Sequence, residues 1–213
     1  MSTPARAILL ALCIALLNGC AEPALKDQLS TEFATQELYP VKNSGFAEAF
    51  VRRDASLASY HSVDISPLGV SDIDIPNTLV AGTLRRDWQM TAERQIALQE
   101  AWADAMNKAF AGYLRATDAS AVLRIDSGLT RIAPGRPTAT TIGADLQPMG
   151  SSQDVVEIWV EFRLYDASDE RLLAVIRDNR TLTSVQLSRT APATVNLLFG
   201  SWAALLHTRV SGK

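Results

Sequence analysis

Residues 155–178 read VVEIWVEFRLYDASDERLLAVIRD, and this stretch decides the fold. Alternate positions of its first half are apolar, namely Val156, Ile158, Val160, Phe162 and Leu164. The positions between them are Glu157, Trp159, Glu161, Arg163 and Tyr165. A period of two predicts a strand with one face in the core and the other in solvent. Residues 166–170 have the composition of a turn, and residues 171–178 return as the partner strand, which predicts a β-hairpin.

Two further strands are predicted upstream. Residues 61–66 alternate in polarity and end at Pro67, which favours a short strand. Residues 121–126 place Ala121, Leu123 and Ile125 on one face, and the pattern continues over residues 129–132. Gly128 between these segments predicts a bulge or a bend.

Two longer helices complete the predicted fold. Thr91 is suited to be the N-cap of a helix that ends near Leu114. The apolar residues of this helix are spaced three or four positions apart and so share one face. They are Leu98, Trp102, Ala105, Met106, Ala109, Phe110 and Tyr113. A second apolar stripe over residues 194–210 predicts a terminal helix, in which Gly200 is unfavourable. This order of elements predicts an α+β fold, a mainly antiparallel sheet with the two longer helices packed on one face.

The start of the chain has the features of an export signal. Residues 7–17 are uncharged and apolar, but eleven residues span only about 17 Å as a helix, too short to cross a bilayer. The run closes with Leu17-Asn18-Gly19-Cys20, which resembles the lipobox of bacterial lipoproteins. That resemblance implies cleavage between Gly19 and Cys20 and a lipid on Cys20. An ordinary secretory signal is the alternative.

The remaining chain divides into a tether and one domain. Residues 20–45 are polar and contain Pro23 and Pro40, which predicts a flexible tether between the lipid and the domain. Residues 46–213 are long enough for a single α+β domain. Within it, residues 134–153 form a long proline- and glycine-containing gap of the kind that is functional or disordered.

Composition excludes several functions. The formal net charge is −3, whereas a nucleic-acid partner requires a basic face. If Cys20 carries lipid, no thiol remains in residues 21–213, so a disulfide, a cysteine nucleophile and a thiolate metal site are all excluded.

No catalytic residue, metal ligand or cofactor site is predicted. His61 and His207 are the only histidines, and each lies in a regular element, where a structural role is the simpler interpretation. Asp72 and Asp74 lack the glycine and distal glutamate of a calcium loop. Glu157 and Glu161 would lie about 13 Å apart on a strand, too far for a glycosidase pair.

Three aromatic side chains are candidate interface residues. Trp159 and Tyr165 lie on the hairpin face opposite the predicted core, and Trp88 precedes the first helix. Aromatic residues are enriched at protein interfaces, although cover from within the same domain is the alternative.

Short motifs along most of residues 44–210 resemble the DUF3313 family of bacterial lipoproteins. They are Ser44-Gly45-Phe46, Leu57-Ala58-Ser59-Tyr60, Val63 to Pro67, Val122 to Asp126, Val156 to Leu172 and Trp202-Ala203. The resemblance implies a lipid-anchored envelope domain of unassigned biochemistry and brings no catalytic residues with it.

The sequence therefore favours a non-catalytic binding or assembly module. The lipid on Cys20 would hold it to a membrane, and an unidentified envelope protein would be its partner. No aspartate follows Cys20 directly, which favours the outer membrane, with the domain facing the periplasm. A carrier of lipid or glycan fragments is the alternative and predicts an apolar cavity. A hydrolase of envelope material comes third and requires a histidine beside a nucleophile.

Overall fold

The structure is a computed structural model, and it describes residues 23–76, 90–115, 121–135 and 155–212. Eight strands form one sheet in the order β1-β2-β3-β8-β7-β6-β4-β5. The strands are β1 (Ala24–Leu25), β2 (Leu38–Lys42), β3 (Glu48–Arg52), β4 (Ser62–Ile65), β5 (Leu114–Arg115), β6 (Val122–Gly135), β7 (Val155–Asp166) and β8 (Arg171–Thr183). The helices are α1 (Ala92–Ala109) and α2 (Ser184–Ser211). Among these described strands, the pairs β4·β5 and β4·β6 are parallel and the others are antiparallel.

The predicted hairpin is confirmed as β7 and β8 at the centre of the sheet. The inward positions Ile158, Val160, Phe162 and Leu164 are buried, and the alternate positions are exposed or half-buried. Asp166 stabilises the turn because its carboxylate accepts hydrogen bonds from both the backbone N–H and the hydroxyl of Ser168. The return strand extends to Thr183, five residues beyond the predicted end.

The strand β6 runs without a break through the predicted bend at Gly128. Its register with β7 shifts between Leu129 and Arg131, so the irregularity lies just after the glycine. Gly128 instead forms a parallel backbone bridge with Gly69 of the neighbouring loop. The Gly69 N–H donates to the carbonyl of Ser127 at 2.8 Å, and the Leu129 N–H donates back to the carbonyl of Gly69 at 2.9 Å.

Both predicted helices form, with different bounds. The N-cap of α1 is confirmed, since the Thr91 hydroxyl accepts a hydrogen bond from the Arg94 N–H at 3.3 Å. This helix ends at Ala109, about one turn before Leu114, because the chain turns there to pair β5 with β4. The second helix begins at Ser184, ten residues before the predicted start.

The α+β fold with helices on one face is confirmed by the packing of aromatic residues. Trp102 of α1 stacks on Phe162 of β7 with ring centroids 5.6 Å apart. Phe199 of α2 meets Trp102 edge-on at 5.4 Å. All three side chains are buried in one cluster that joins both helices to the inner face of the sheet.

The interpretation of residues 20–45 as a tether is wrong for residues 24–42. β1 and β2 join the sheet in this segment, and β3, which the sequence pattern did not predict, connects them to β8. Phe33 and Leu38 are buried against Val175 on the outer face, opposite the helices. The domain therefore begins well before residue 46, because these two apolar side chains are buried only by lying on the sheet.

An ion pair adds to the attachment of this segment. The Glu32 carboxylate forms two hydrogen bonds with the Arg177 guanidinium, at 2.6 and 3.0 Å. Arg177 also donates to Glu161 of β7 at 2.7 Å. Residues 1–19, together with Cys20, lie outside the described residues, as do Trp88 and residues 136–153 of the long gap.

Candidate binding groove

The two helices are too narrow to cover the whole inner face of the sheet. Eight strands at a spacing of about 4.8 Å form a face roughly 34 Å wide, whereas two helices cover roughly 20 Å. α1 and α2 lie over the half of the sheet around β6, β7 and β8. A groove of about 480 Å³ is left between the C-terminal end of α2 and the strands β1, β2 and β3.

The walls of the groove are mainly apolar. It is lined by Pro23, Leu25, Val41, Ser44, Phe46, Ala49, Val51, Ala55, Ser56, Leu57, Ala58, Ile176, Thr208, Arg209 and Gly212. Phe46, Ala49 and Ile176 are buried, while Val41 and Val51 are half-buried. Leu25 is an exposed apolar side chain at the edge strand. A concave apolar surface with few polar groups is the usual form of a small-molecule site.

Gly45 allows α2 to approach the turn between β2 and β3. Its φ of +81° is in the left-handed region that favours glycine. A β-carbon there would lie 3.2 Å from Leu205 Cδ1 and 3.3 Å from an Arg209 terminal nitrogen. The Arg209 Nε in turn donates to the carbonyl oxygen of Ser44 at 2.6 Å. The turn and the last turn of the helix thus form one end of the groove together.

The buried carboxylate of Asp178 holds the neighbouring elements in place. It is 4% exposed and lies on β8. It accepts a hydrogen bond from the Ala47 N–H at 3.1 Å and another from Trp202 of α2. Arg180 also approaches it, at 2.9 Å. With partners from three sides, this carboxylate joins β8, the start of β3 and α2.

A second polar contact joins the loop before β4 to the hairpin turn. The Tyr60 hydroxyl donates to the Asp166 carboxylate at 2.7 Å. Burial, followed by this hydrogen bond, raises the pKa of Tyr60 to about 12. The hydrogen bonds from Ser168, followed by the one from Tyr60, lower the pKa of Asp166 below its ordinary value. Both shifts favour the neutral phenol and the charged carboxylate, as expected of a structural hydrogen bond.

The predicted interface residues have different surroundings. Trp159 is 40% exposed on the outer face of the sheet. Tyr165 is half-buried, and the Arg124 guanidinium lies over its ring, 4.4 Å from the centroid. The Arg124 side chain thus covers part of the Tyr165 ring from within the domain. Trp88 lies outside the described residues.

The two histidines have different surroundings. His61 is exposed beside β4, and His207 is half-buried in α2. The His207 ring packs edge-on against Phe110 and Tyr113, with centroids 5.3 and 5.8 Å away. These contacts are those of an imidazole used in packing.

One carboxylate of each acidic pair considered in the sequence, Asp74 and Glu161, forms ordinary ion pairs. Asp74 binds Arg131 at 2.6 Å, and Glu161 binds Arg163 and Arg177, each at 2.7 Å. Within the part of the chain that the structure describes, no three histidine, cysteine, aspartate or glutamate residues are placed to share a metal ion. Neither described helix combines the length and apolar content that crossing a bilayer requires.

The family assignment follows from the match over most of this domain. Residues 28–206 match the family described as "Protein of unknown function (DUF3313)". The chain belongs to the DUF3313 family. The match begins ahead of the predicted domain start at residue 46, in agreement with the strands found there. No curated protein matches the chain.

Several solved structures are distantly similar to this DUF3313 protein. The hypothetical protein CT253 from Chlamydia trachomatis has a TM-score of 0.44 at 10% identity, covering 72% of this chain and 99% of that one. A PelC dodecamer from Paraburkholderia phytofirmans has a TM-score of 0.37 at 15% identity, covering 72% and 91%. A minor lipoprotein from Acinetobacter baumannii has a TM-score of 0.34 at 10% identity, covering 72% and 94%. At these scores and identities, the similarities assign no function to this chain.

Sequence reasoning missed the groove because its walls come from separate segments. Leu25 and Val41 belong to the stretch interpreted as a tether, and Val51 to a strand that was not predicted. Arg209 was an unremarked cation near the end of a predicted helix. Residues 24–42 contained one signal of the missing strands. Their scattered apolar side chains make this segment more apolar than a freely solvated linker.

Proposed function

We propose that this protein is a non-catalytic binding module of the bacterial envelope, anchored by a lipid on Cys20, and that the groove is its binding site. The observation that carries the proposal is the position of Pro23 and Leu25 on the groove wall. Cys20 precedes Pro23 by three residues, so the extended chain between them spans at most about 10 Å. A lipid on Cys20 would therefore hold the groove close to a membrane surface.

The lipid anchor is supported by the Leu17-Asn18-Gly19-Cys20 stretch, which resembles a lipobox. Each buried methylene of an acyl chain contributes about 0.8 kcal/mol to membrane binding, and two or more chains give stable attachment. Ala21 and Glu22 follow the cysteine without an aspartate. The lack of an aspartate directly after Cys20 favours attachment to the outer membrane, with the domain in the periplasm.

The composition of the groove supports binding over catalysis. The described residues of its lining include no carboxylate, histidine or cysteine, and Arg209 is the one charged side chain among them. General acid–base catalysis near neutral pH requires a group that gains and loses a proton there, which a guanidinium does not do. His61 and His207, the remaining candidates for such a group, are not part of this lining.

The anchor is tested by labelling cells with an alkynyl palmitate analogue and separating their membranes. We expect label and membrane association in the wild type, and loss of both in Cys20→Ala, because only Cys20 would be acylated. Cys13→Ala is the matched control, since Cys13 lies in the predicted signal, and it keeps the label. Equal labelling of wild type and Cys20→Ala would contradict the anchor.

Assembly with an envelope protein through the outer sheet face is the second candidate, and the exposure of Trp159 favours it. An exposed aromatic ring beside strands of mixed polarity is a feature of protein interfaces. The test replaces Trp159 with a photoreactive phenylalanine in intact cells and compares it with the same substitution at Ala34. One recurrent protein adduct confined to position 159 supports this function. Recovery of the unmodified chain at both positions counts against it.

A further inference from the structure

Among the described residues that line the groove, Arg209 is the one with a charged side chain. It lies in the last turn of α2 and is half-buried. Its Nε is used by the hydrogen bond to the Ser44 carbonyl oxygen. This bond fixes the orientation of the guanidinium at the end of the groove formed by the turn between β2 and β3.

Within the described part of the chain, the two terminal nitrogens of Arg209 have no hydrogen-bond acceptor. Among the described residues, no carboxylate lies within 4.0 Å of this guanidinium, although most other arginines of the sheet are paired with acids. Ser44, Ser56 and Thr208 are the uncharged polar residues among the described lining. A half-buried guanidinium with two unused donor groups is suited to bind an anion.

We propose that the groove binds a long-chain fatty acid from the membrane, with its acyl chain along the apolar wall and its carboxylate on Arg209. The inference rests on the proposed function only in taking the groove as the binding site. A volume of about 480 Å³ is within the usual range of roughly 300–1,000 Å³ for a site that holds one small molecule. Leu25, Val41 and Val51 supply the apolar surface, and Arg209 supplies the opposite charge.

Charge complementarity distinguishes this ligand from the protein's own anchor. The groups that a lipoprotein carries on its cysteine are a diacylglycerol thioether and an N-acyl amide, and neither is charged. These uncharged groups would pack against the apolar wall, but they would leave the terminal nitrogens of Arg209 without an anion. A free fatty acid satisfies both parts of the site.

The test uses the full lipidated chain in phosphatidylethanolamine vesicles that contain a trace of photoactivatable palmitic acid. A parallel sample contains the corresponding photoactivatable alcohol. After illumination and proteolysis, mass spectrometry identifies the labelled peptides. We expect the acid to label peptides that contain Val41, Val51 or Leu57, about tenfold more than the alcohol does, because only the acid forms a charge-assisted hydrogen bond.

Variants separate the roles of charge and shape. Arg209→Ala is expected to reduce labelling by the acid to the level of the alcohol and to leave labelling by the alcohol unchanged. Ala58→Trp fills the mouth of the groove from an exposed position and is expected to reduce labelling by both probes. Ala34→Trp, another exposed alanine on the opposite side of the sheet, is the matched control and reduces neither. An unchanged melting temperature in each variant shows that its fold is intact.

Three results would overturn the inference. The first is equal labelling of the wild type and Arg209→Ala by the acid. The second is the absence of label in the groove peptides. The third is labelling of Cys20→Ala but not of the wild type. The third result means that the protein's own lipid fills the groove. If the groove stays unlabelled while Cys20 is acylated, the inference fails and the anchor stands. If the groove of the wild-type chain is labelled while its Cys20 carries no lipid, the anchor fails and the inference stands.

Discussion

The indole Nε1 of Trp202 donates a hydrogen bond to the carboxylate of Asp178 at 2.7 Å, and both side chains are buried. The contact joins α2 to β8 between the aromatic core and the groove. A charged acceptor in a buried position strengthens such a bond and makes its loss costly. The pair therefore fixes where the helix lies, and with it the width of the groove.

Trp202→Phe tests this contact, because it removes the N–H donor and keeps a large apolar ring. We expect the free energy of unfolding to fall by about 1 to 3 kcal/mol, since the buried carboxylate loses a partner. The measurement is equilibrium unfolding in urea. Trp159→Phe, at the exposed tryptophan, is the control and is expected to change stability by less than about 0.5 kcal/mol. Equal stability of Trp202→Phe and the wild type would show that the bond does not hold the helix.

Phe162 tests the position of the core. The side chain is buried on the inner face, between Trp102 and Phe46. Phe162→Ala is expected to lower the free energy of unfolding by about 3 to 5 kcal/mol, a large part of the roughly 5 to 15 kcal/mol that stabilises a typical domain. The melting temperature is the measurement, and Arg163→Ala on the opposite face is the control. An unchanged melting temperature for Phe162→Ala would contradict the assignment of the inner face.

Alanine substitutions at two glycines are predicted to change the stability of the protein in opposite directions. Gly200 is inside α2, and apart from the backbone of its own helix a β-carbon there would meet no atom of the described residues within 4 Å. Gly200→Ala is therefore expected to stabilise the protein by up to about 1 kcal/mol through helix propensity. Gly45→Ala is expected to destabilise it, because φ is +81° and the new β-carbon would press on Leu205. Thermal unfolding of both variants checks the pair, and stabilisation by Gly45→Ala would contradict the packing at the end of the groove.

The raised pKa of Tyr60 predicts a loss of stability at high pH. The pKa is about 12 in the folded protein, against an ordinary value of about 10. A group whose pKa is raised by folding contributes its full stabilisation below the unfolded pKa and loses it as the pH rises toward the folded value. The free energy of unfolding should therefore fall between about pH 10 and pH 12 in the wild type, and fall less in Tyr60→Phe. Identical pH profiles of the two proteins would show that the phenol is not held by burial and Asp166.

The sequence predicted the parts of the fold that are governed by regular periodicity. The alternation from Val156 to Leu164 gave the central strand, and Thr91 with the apolar stripe of α1 gave the first helix. These patterns are local, because each residue's burial follows from its position in one regular element. The packing of both helices on one face follows from their single apolar stripes.

The edge of the sheet could not be predicted in the same way. β1 has two residues and β2 contains Pro40, so neither has the length or composition of an ordinary strand. Phe33 and Leu38 became recognisable as core residues only through their contact with Val175, more than a hundred residues away. The groove depends on these non-local contacts, and for that reason no motif in the sequence marked it.

In the proposed arrangement the groove faces the membrane to which Cys20 is anchored, and a quenching measurement tests this orientation most directly. If Cys20 carries lipid, Ser56→Cys places the only free thiol of the mature chain at the mouth of the groove, and Ala34→Cys places it on the outer face. Each thiol is labelled with bimane in the full lipidated protein and inserted into vesicles that contain spin-labelled lipids. We expect strong quenching at position 56 and weak quenching at position 34. Equal quenching at both positions, or stronger quenching at position 34, would contradict the account.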